Sequence, residues 1–429
     1  MKNPVFPILL LPLLRRLPHC LSIAFVLISL SAAPIAWAGF QERFNAFEKE
    51  DSTRPLLEFR LLADQGNALA QNYLGVMYAM GQDVPQDYQE AMQWFRKAAQ
   101  QGEALAQFNL GLMYAKGQGV PQDFQKAVEW YRKAAMQGQG KAQFNLGLMY
   151  AKGQGVPQDY QEAMQWFRKA AEQGNAKAKN FLGEMYAEGK GVQQNLQEAM
   201  RWFHEAAEQG EALSQFNLGL MYAKVKGVPQ DFQAAMKWHR KAAGQGHAKA
   251  QFNLGLMYAK GQGVPQDYRE AMNWYHKAAG QGEAIAQFNL GEMYEKGLGT
   301  PQDYQEAVRW YRMAAGQGYV KAQNYLGMMY AEGKGVPRDY QEAMKWYRMA
   351  AQRGVALAQH ELGMMHMQGK GVMQDQVRAH MWFSIAGEKG NRRALESRDT
   401  LVGSMTPEQI AEAQKMAHDC KESDYKKCD

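Results

Sequence analysis

The sequence has few of the residues that usually carry out chemistry. It contains three cysteines and nine histidines among 429 residues, and no Gly-x-Ser-x-Gly motif. These absences exclude a small fold built on many disulfides and the nucleophile elbow of a serine hydrolase. His360 and His366 lie about 240° apart around a helix, so they cannot share a metal ion on one straight helix. We therefore expect no metal site, no cofactor and no enzymatic activity.

An excess of charge of one sign is also missing. Lysine and arginine number 49 and aspartate and glutamate 43, which gives a formal net charge of +6. Three basic residues, Lys2, Arg15 and Arg16, fall in the first 38 residues, which hold no acidic residue, so the rest of the chain carries +3. This charge is too small to predict binding to nucleic acid or to an anionic membrane surface.

Residues 1–38 are typical of a secretory signal peptide. They combine basic residues, an uncharged apolar stretch at residues 21–35 and the small residues of Ala36-Trp37-Ala38. We expect cleavage after Ala38 and export, to the periplasm or as a secreted protein. An uncleaved anchor stays open as the alternative, although the apolar run is shorter than the ~20 residues that span a bilayer. We expect no stable membrane insertion, and the sequence does not distinguish the periplasm, the cell surface and a host.

Two cysteines lie close together near the end of the chain. Cys420 and Cys428 remain when the leader and Cys20 are removed. Because export implies an oxidising compartment, we expect them to form a disulfide. A zinc site would need two further ligands, and only His418 and carboxylates lie nearby.

What the sequence has in abundance is repetition. Leu-Gly recurs every 36 residues from Leu74-Gly75 to Leu362-Gly363, and tryptophan keeps the same period from Trp94 to Trp382. A fixed period of this size predicts an array of stacked structural units. Glycine and proline then mark a turn inside each unit, as in the segment GQGVPQD that ends at Asp123.

Each unit has the pattern of two helices. The members of the two predicted buried stripes in one unit are Ala106, Leu110, Met113 and Tyr114, followed by Ala127, Trp130, Ala134 and Ala135. An aspartate caps the second helix, and a glutamate three residues later predicts a capping box, as in Asp87 and Glu90. Gly111 lies mid-helix, where glycine costs ~1 kcal/mol relative to alanine. Its recurrence predicts close helix packing, with a neighbouring Trp or Tyr filling the space.

The unit AxAQFNLGxMYAxGxGVPQDxxxAxxWxxxAAxQG resembles the Sel-one-like repeat, a branch of the tetratricopeptide superfamily. Ordinary tetratricopeptide units have 34 residues, so the longer period favours this branch. The resemblance implies an all-α fold, an α/α solenoid coiled as a right-handed superhelix, with about nine helix-turn-helix repeats. We assign the repeats to residues 67–390, a partial N-terminal capping repeat to residues 39–66 and a helical C-terminal cap to residues 391–429.

The resemblance also implies where a partner binds, because first helices line the concave wall of solenoids in this superfamily. A second stripe on these helices carries asparagines that would hydrogen-bond an extended peptide, lysines that would meet carboxylates, and aromatic residues. A solvated face under no constraint is the alternative, and the two places just before each asparagine are rival contact positions. The candidate residues are Tyr73, Asn109, Lys116, Asn145, Lys152, Phe181, Asn217, Lys224, Asn253, Lys260, Asn289, Lys296 and Tyr325.

We therefore expect an exported protein–protein interaction scaffold or adaptor, whose partner is unidentified and is an envelope or a host protein. One alternative is a cell-envelope hydrolase, since cysteine-rich relatives of the repeat are β-lactamase-like and Ser423 and Lys426 match a serine-x-x-lysine pattern. Those relatives carry a cysteine pair in each unit, which this chain lacks. The other alternative is a cell-wall glycan binder, in which Tyr73, Phe181 and Tyr325 would stack on sugar rings.

Overall fold

The computed structural model describes residues 54–224 and 229–423 together with residues 425 and 428. Within these residues every regular element is an α-helix, and there are 21 helices. Helix α1 spans Arg54–Asp64 and precedes the repeats. The predicted signal peptide, residues 39–53 of the leading partial unit and Lys426 lie outside the described residues.

Eighteen of the helices form nine consecutive pairs, each with a first and a second helix. The first helices are α2 (Ala68–Met80), α4 (Ala104–Lys116), α6 (Gly140–Lys152), α8 (Ala176–Glu188), α10 (Ala212–Lys224), α12 (Ala248–Lys260), α14 (Ala284–Lys296), α16 (Val320–Glu332) and α18 (Ala356–Gln368). The second helices are α3 (Tyr88–Gln100), α5 (Phe124–Met136), α7 (Tyr160–Glu172), α9 (Leu196–Glu208), α11 (Phe232–Gly244), α13 (Tyr268–Gly280), α15 (Tyr304–Gly316), α17 (Tyr340–Gln352) and α19 (Gln376–Glu388). We number the repeats 1 to 9 in this order.

The chain divides into two compact units. Of the described residues, the first unit holds those up to 149 and residues 153–157, and the second holds residues 150–152 and those from 158 onward. In the first unit α1 to α5 pack each on the next, and in the second unit α7 to α19 do the same. Packing of consecutive helix pairs through an all-helical chain is an α/α solenoid.

Two further helices, α20 (Arg392–Val402) and α21 (Pro407–Glu422), follow the last repeat and both pack on α19. Thr406 and Gln409 form a full capping box at the start of α21. Cys420 and Cys428 form a disulfide and are buried with Trp382 of α19 in one apolar cluster. These elements cover the side of α19 where another repeat would stack.

The first helix of each repeat buries one stripe, as α4 illustrates. Ala106 and Leu110 are fully buried and Met113 is 4% exposed. The helix ends at Gly117, whose φ of +68° is a left-handed conformation that favours glycine. The N–H of Gly117 donates to the carbonyl of Met113, which satisfies one of the free carbonyls of the last turn.

The second helix begins with an aspartate cap and not with the full capping box that the sequence predicts. Oδ1 of Asp87 accepts from the backbone N–H groups of Gln89 and Glu90 at 2.8 and 3.0 Å. The N–H of Asp87 donates to the carbonyl of Tyr78 at 2.9 Å, so it is not available to the glutamate side chain. The same backbone bond is made by Asp159, Asp303 and Asp339. The prediction was wrong because this bond, which closes the turn between the two helices, uses the donor.

The residue after each repeated tryptophan is the large side chain that the second helix buries in every repeat. Tyr131 is 1% exposed, whereas Trp130, which the sequence placed on the buried stripe, is half-buried. An added Cβ at Gly111 would lie 2.5 Å from Cδ1 of Tyr131, so the glycine makes room for this ring. Burial of the ring offsets the ~1 kcal/mol that glycine costs in a helix. Equivalent pairs are Gly75–Phe95, Gly183–Phe203, Gly219–His239, Gly255–Tyr275, Gly291–Tyr311, Gly327–Tyr347 and Gly363–Phe383.

Candidate binding surface on the first helices

The candidate surface follows four places on each first helix, which we call the first-helix stripe. In α4 these places are Leu105, Asn109, Leu112 and Lys116. The first place is exposed in seven of the nine repeats. In three of those it is aliphatic, with exposed fractions of 37% at Leu213, 42% at Ile285 and 45% at Leu357. In α4 the middle places are half-buried and the last is exposed, so this stripe has an apolar start and a polar end that solvent reaches. In four other repeats the first place is an exposed lysine.

Two of the stripe asparagines bond to an asparagine of the preceding repeat. Nδ2 of Asn109 donates to Oδ1 of Asn72 at 3.0 Å, and Nδ2 of Asn217 donates to Oδ1 of Asn180 at 3.2 Å. In both repeats that contribute the acceptor, the buried ring of the second helix is a phenylalanine, which has no hydroxyl group. The asparagine therefore takes the amide as its partner.

Where the buried ring is a tyrosine, the next asparagine bonds to its hydroxyl. Asn145 bonds to Tyr131, and Asn289 bonds to Tyr275. Burial raises the pKa of each tyrosine to about 12, and the asparagine bond opposes that rise. Asn253 is half-buried. Because four stripe asparagines already bond within the fold, they have less capacity to bind a peptide than the sequence predicts.

The aromatic residues of the stripe pack on other rings. Tyr73 is 8% exposed and stacks on Phe59, with the ring centroids 5.5 Å apart. The other two pairs are Phe181 with Phe167 at 5.2 Å and Tyr325 with Tyr311 at 5.4 Å. The sequence order is reversed in these repeats, with asparagine before the aromatic residue. Each ring has a neighbouring ring on one side, while Phe181 and Tyr325 stay half-buried, so they offer less ring surface to a sugar than the glycan hypothesis assumes.

The lysines are the accessible members of the stripe. Lys116, Lys152, Lys224 and Lys260 are exposed, and none has a carboxylate of the described residues within ion-pair distance. Lys296 pairs with Glu292 at 2.7 Å. Four unpaired cations at one place of the repeat favour a partner that carries carboxylates.

The stripe lines a cleft of about 410 Å³ near the C-terminal end of the array. The stripe residues of α18 that line it are Leu357, Glu361, Met364 and Gln368. Asn324 and Met328 of α16 line it as well, so the structure brings the first helices of two successive repeats together at one cleft.

The serine that the hydrolase hypothesis needs has a hydrogen bond within the C-terminal cap, and Lys426 lies outside the described residues. Oγ of Ser423 donates to the carbonyl of Cys420 at 2.8 Å.

His360 Nδ1 lies 3.1 Å from Glu361 Oε1. Across residues 54–224 and 229–423, no group of three or more His, Cys, Asp or Glu side chains is placed to hold a metal ion. The helices of that same part of the chain are too short or too polar to cross a membrane.

Sequence reasoning missed a ladder of glutamines between successive repeats. Gln251 is 6% exposed, its Nε2 donates to the carbonyl of Ala243 at 3.2 Å, and its Oε1 accepts from Gln281 Nε2 at 2.8 Å. Both glutamines recur with the period of the array. That recurrence was the available signal, because a buried polar side chain without partners would cost free energy in every repeat.

Comparison with known proteins identifies the same periodic unit. The profile described as the Sel1 repeat matches nine consecutive segments, at residues 68–103, 104–139, 140–175, 176–211, 212–247, 248–283, 284–319, 320–355 and 356–391. These segments begin one residue after the repeat boundary that the sequence predicts.

Two similar solved structures cover most of the chain. A protective antigen of uropathogenic Escherichia coli strains that displays an SLR fold is 33% identical, has a TM-score of 0.62, and aligns over 86% of this chain and 96% of its own. A Sel1 repeat protein from Oxalobacter formigenes is 36% identical, has a TM-score of 0.57, and aligns over 72% of this chain and 90% of its own. A search of curated proteins gives no match.

Proposed function

Because the chain belongs to the Sel1 repeat family, whose members are generally non-enzymatic interaction scaffolds, we propose that it binds a protein partner along the first-helix stripe. The observation that supports this best is that the last stripe place carries exposed lysines, Lys116 in the first unit and Lys152, Lys224 and Lys260 in the second. None of the four has a carboxylate of the described residues within ion-pair distance. A long surface of this kind sums weak contacts along an extended partner. An acidic partner segment is the best match to the lysines.

We propose that the protein is exported. The leader at residues 1–38 supports this, as does the disulfide between Cys420 and Cys428, since disulfides persist in oxidising compartments. The similar protein of uropathogenic Escherichia coli is a protective antigen, which also favours a place outside the cytoplasm.

A crosslinking pull-down from the native envelope tests the binding proposal. We expect the double variant Lys224→Glu with Lys260→Glu to recover at least about tenfold less partner, because it reverses two charges of the stripe. The matched control is Lys169→Glu with Lys237→Glu, which makes the same charge change on exposed places of second helices. Equal losses in both variants would refute the stripe as the binding surface.

Purified protein tests the non-enzymatic part of the proposal. We expect no hydrolysis of a chromogenic cephalosporin. Turnover that Ser423→Ala abolishes would overturn the scaffold assignment in favour of a hydrolase.

A further inference from the structure

The cleft between α16 and α18 contains a buried amide that has lost its usual donor. Asn324 is 6% exposed and lines the cleft, and its Oδ1 has no hydrogen-bond partner among the described residues. At the same place in repeat 1, Asn72 Oδ1 accepts from Asn109 of the next repeat at 3.0 Å. In repeat 9 the donor's place holds Glu361, whose carboxylate is an acceptor only when ionised. The cleft therefore holds two acceptors where the earlier repeats hold a donor and an acceptor.

Repeat 4 shows what else has been removed. There Asn180 Nδ2 donates to Glu184 at 2.9 Å, and Asn180 Oδ1 accepts from Ser214 Oγ at 2.9 Å. The equivalent places in repeats 8 and 9 are Met328 and Ala358, which offer no polar partner. An unpaired buried amide costs about 1–3 kcal/mol, so its retention beside a cleft favours a partner from outside the chain.

Two carboxylates, those of Glu332 and Glu361, line the cleft together with the amide. Burial raises the pKa of Tyr347, and the negative charges of Glu361 and Glu332 raise it further. Glu332 is paired with Lys334 at 2.6 Å, while the neighbour of Glu361 is His360 Nδ1 at 3.1 Å. Glu361 is therefore the carboxylate that can accept a cation from a partner.

The cleft is also lined by apolar side chains and by two basic residues. Met328, Met364 and Leu357 supply aliphatic and thioether surface, and Leu357 is 45% exposed. Lys370 also lines the cleft and lies over the ring of Tyr340, 5.6 Å from its centroid. Arg393 is exposed, and neither cation is within ion-pair distance of a carboxylate among the described residues. Neither cation is thus in direct contact with the carboxylate of Glu361, although both lie in the same lining.

We propose that this cleft binds the ammonium group of a lysine side chain carried by the protein partner. The ammonium has three donors, which match Asn324 Oδ1, the Glu361 carboxylate and the hydroxyl of Tyr347. The four-carbon stem of lysine packs on Met328 and Met364, since methionine adapts to long aliphatic chains. This inference rests on the proposed scaffold function and names the residue by which the partner is anchored at this end of the stripe.

Methyl NMR of the full chain with labelled methionines measures binding at the cleft directly. The probes are the peptide acetyl-Gly-Lys-Gly-amide and the same peptide with an Nε-acetylated lysine. We expect saturable shifts at Met328, Met364 and Met365 with the free lysine, and binding at least about tenfold weaker after acetylation, because acetylation removes the charge. Equal shifts from both peptides would overturn the proposal. Tighter binding of spermidine than of the lysine peptide would assign the cleft to a free polyamine and overturn it as well.

Glu361→Asn separates the cleft from the stability of the fold. This change restores the side chain that donates to the buried amide in repeats 2 and 5. We expect the variant to melt at or above the temperature of the unchanged protein and to bind the lysine peptide at least about tenfold more weakly. The control Glu188→Gln removes one carboxylate from the stripe of repeat 4, outside the cleft. We expect it to leave the NMR shifts unchanged. Retained peptide binding in Glu361→Asn would refute the assignment.

The envelope pull-down distinguishes failure of this inference from failure of the proposed function. Capture of a partner equally by the unchanged protein and by Glu361→Asn rejects the lysine anchor and leaves the scaffold proposal standing. Binding of the lysine peptide without capture of any partner that depends on the stripe lysines rejects the scaffold proposal and leaves the cleft as a lysine site.

Discussion

Repeats 5 to 7 and repeats 8 and 9 are built on the same backbone plan but differ in how they satisfy buried polar groups. In repeats 5 to 7 each buried glutamine accepts from the glutamine that ends its own repeat, as Gln251 does from Gln281 at 2.8 Å. In repeats 8 and 9 that terminal place holds Arg353 and Lys389, and Oε1 of Gln323 and of Gln359 has no partner.

The difference shows which interactions the array can lose. Repeats 8 and 9 keep the helices, the turn and the glycine–ring contact while they lose the glutamine ladder and the asparagine bond. Apolar packing and the caps therefore specify the fold, and the polar ladders add to it. One of the unpartnered polar groups, Asn324 Oδ1, lies at the cleft that we connect with binding.

The largest predicted effect challenges this contrast, because repeat 5 also has an unpartnered buried atom, Nδ1 of His239. Burial lowers the pKa of His239 to about 4, from 6.5. The folded state favours the neutral form of His239. Its contribution to the free energy of unfolding is therefore fully present above pH 6.5 and is lost as the pH falls toward 4. We expect a loss of about 3 kcal/mol in the free energy of unfolding between pH 7 and pH 4 from this side chain.

His239→Tyr tests that expectation, since the same place is Tyr275 in the next repeat. Urea unfolding followed by tryptophan fluorescence at both pH values gives the difference between the variant and the unchanged protein. The exposed His418→Gln is the control and should not alter that difference. An acid response unchanged by His239→Tyr would show that this buried histidine carries no stability cost.

A middle-sized effect sharpens the contrast between the two regions. Gln251→Leu removes two hydrogen bonds and should lower the free energy of unfolding by about 2 kcal/mol. Gln359→Leu removes one bond, from Gln359 Nε2 to the carbonyl of Ala351 at 3.0 Å, together with an unpaired acceptor. We expect that variant to change stability by less than about 1 kcal/mol, because relief of the unpaired acceptor offsets the lost bond. Equal losses in urea unfolding would mean that the ladder is complete in both regions.

The smallest effect repairs the ladder. Arg353→Gln places a glutamine where repeats 5 to 7 have one and gives Gln323 Oε1 a donor. We expect an increase of about 1 kcal/mol in the free energy of unfolding, measured by urea titration. Lys345→Gln, on an exposed place of the same helix, is the control for the loss of one positive charge. A gain no larger than that of the control would contradict the idea that the partner is missing for lack of a glutamine.

The fold could be predicted from the sequence because its signals are local and repeated. The period, the buried stripe of the first helix, the glycine that ends it and the aspartate that begins the second helix all follow from side-chain chemistry within a few residues. The turn bond from Asp87 to Tyr78 was not predictable in this way, since it joins two backbone groups whose separation is set by the folded turn.

The candidate surface was predicted only in part. Spacing located the stripe and its lysines, and the structure leaves those lysines accessible. The engagement of the asparagines depends on the ring of the preceding second helix, as Asn145 with Tyr131 and Asn109 with Asn72 show. That dependence couples residues of different repeats, so helix periodicity alone could not reveal it. Whether the stripe binds a partner stays a prediction.

The two helices and the disulfide that close over α19 have a consequence for assembly. An array of nearly identical repeats exposes at its end the same apolar surface that each repeat packs against the next. Such a surface allows separate copies to stack end to end into filaments. With Trp382 and Ile385 sealed under Cys420 and Cys428, that end offers no such face, and the number of units in the array is fixed within a single chain.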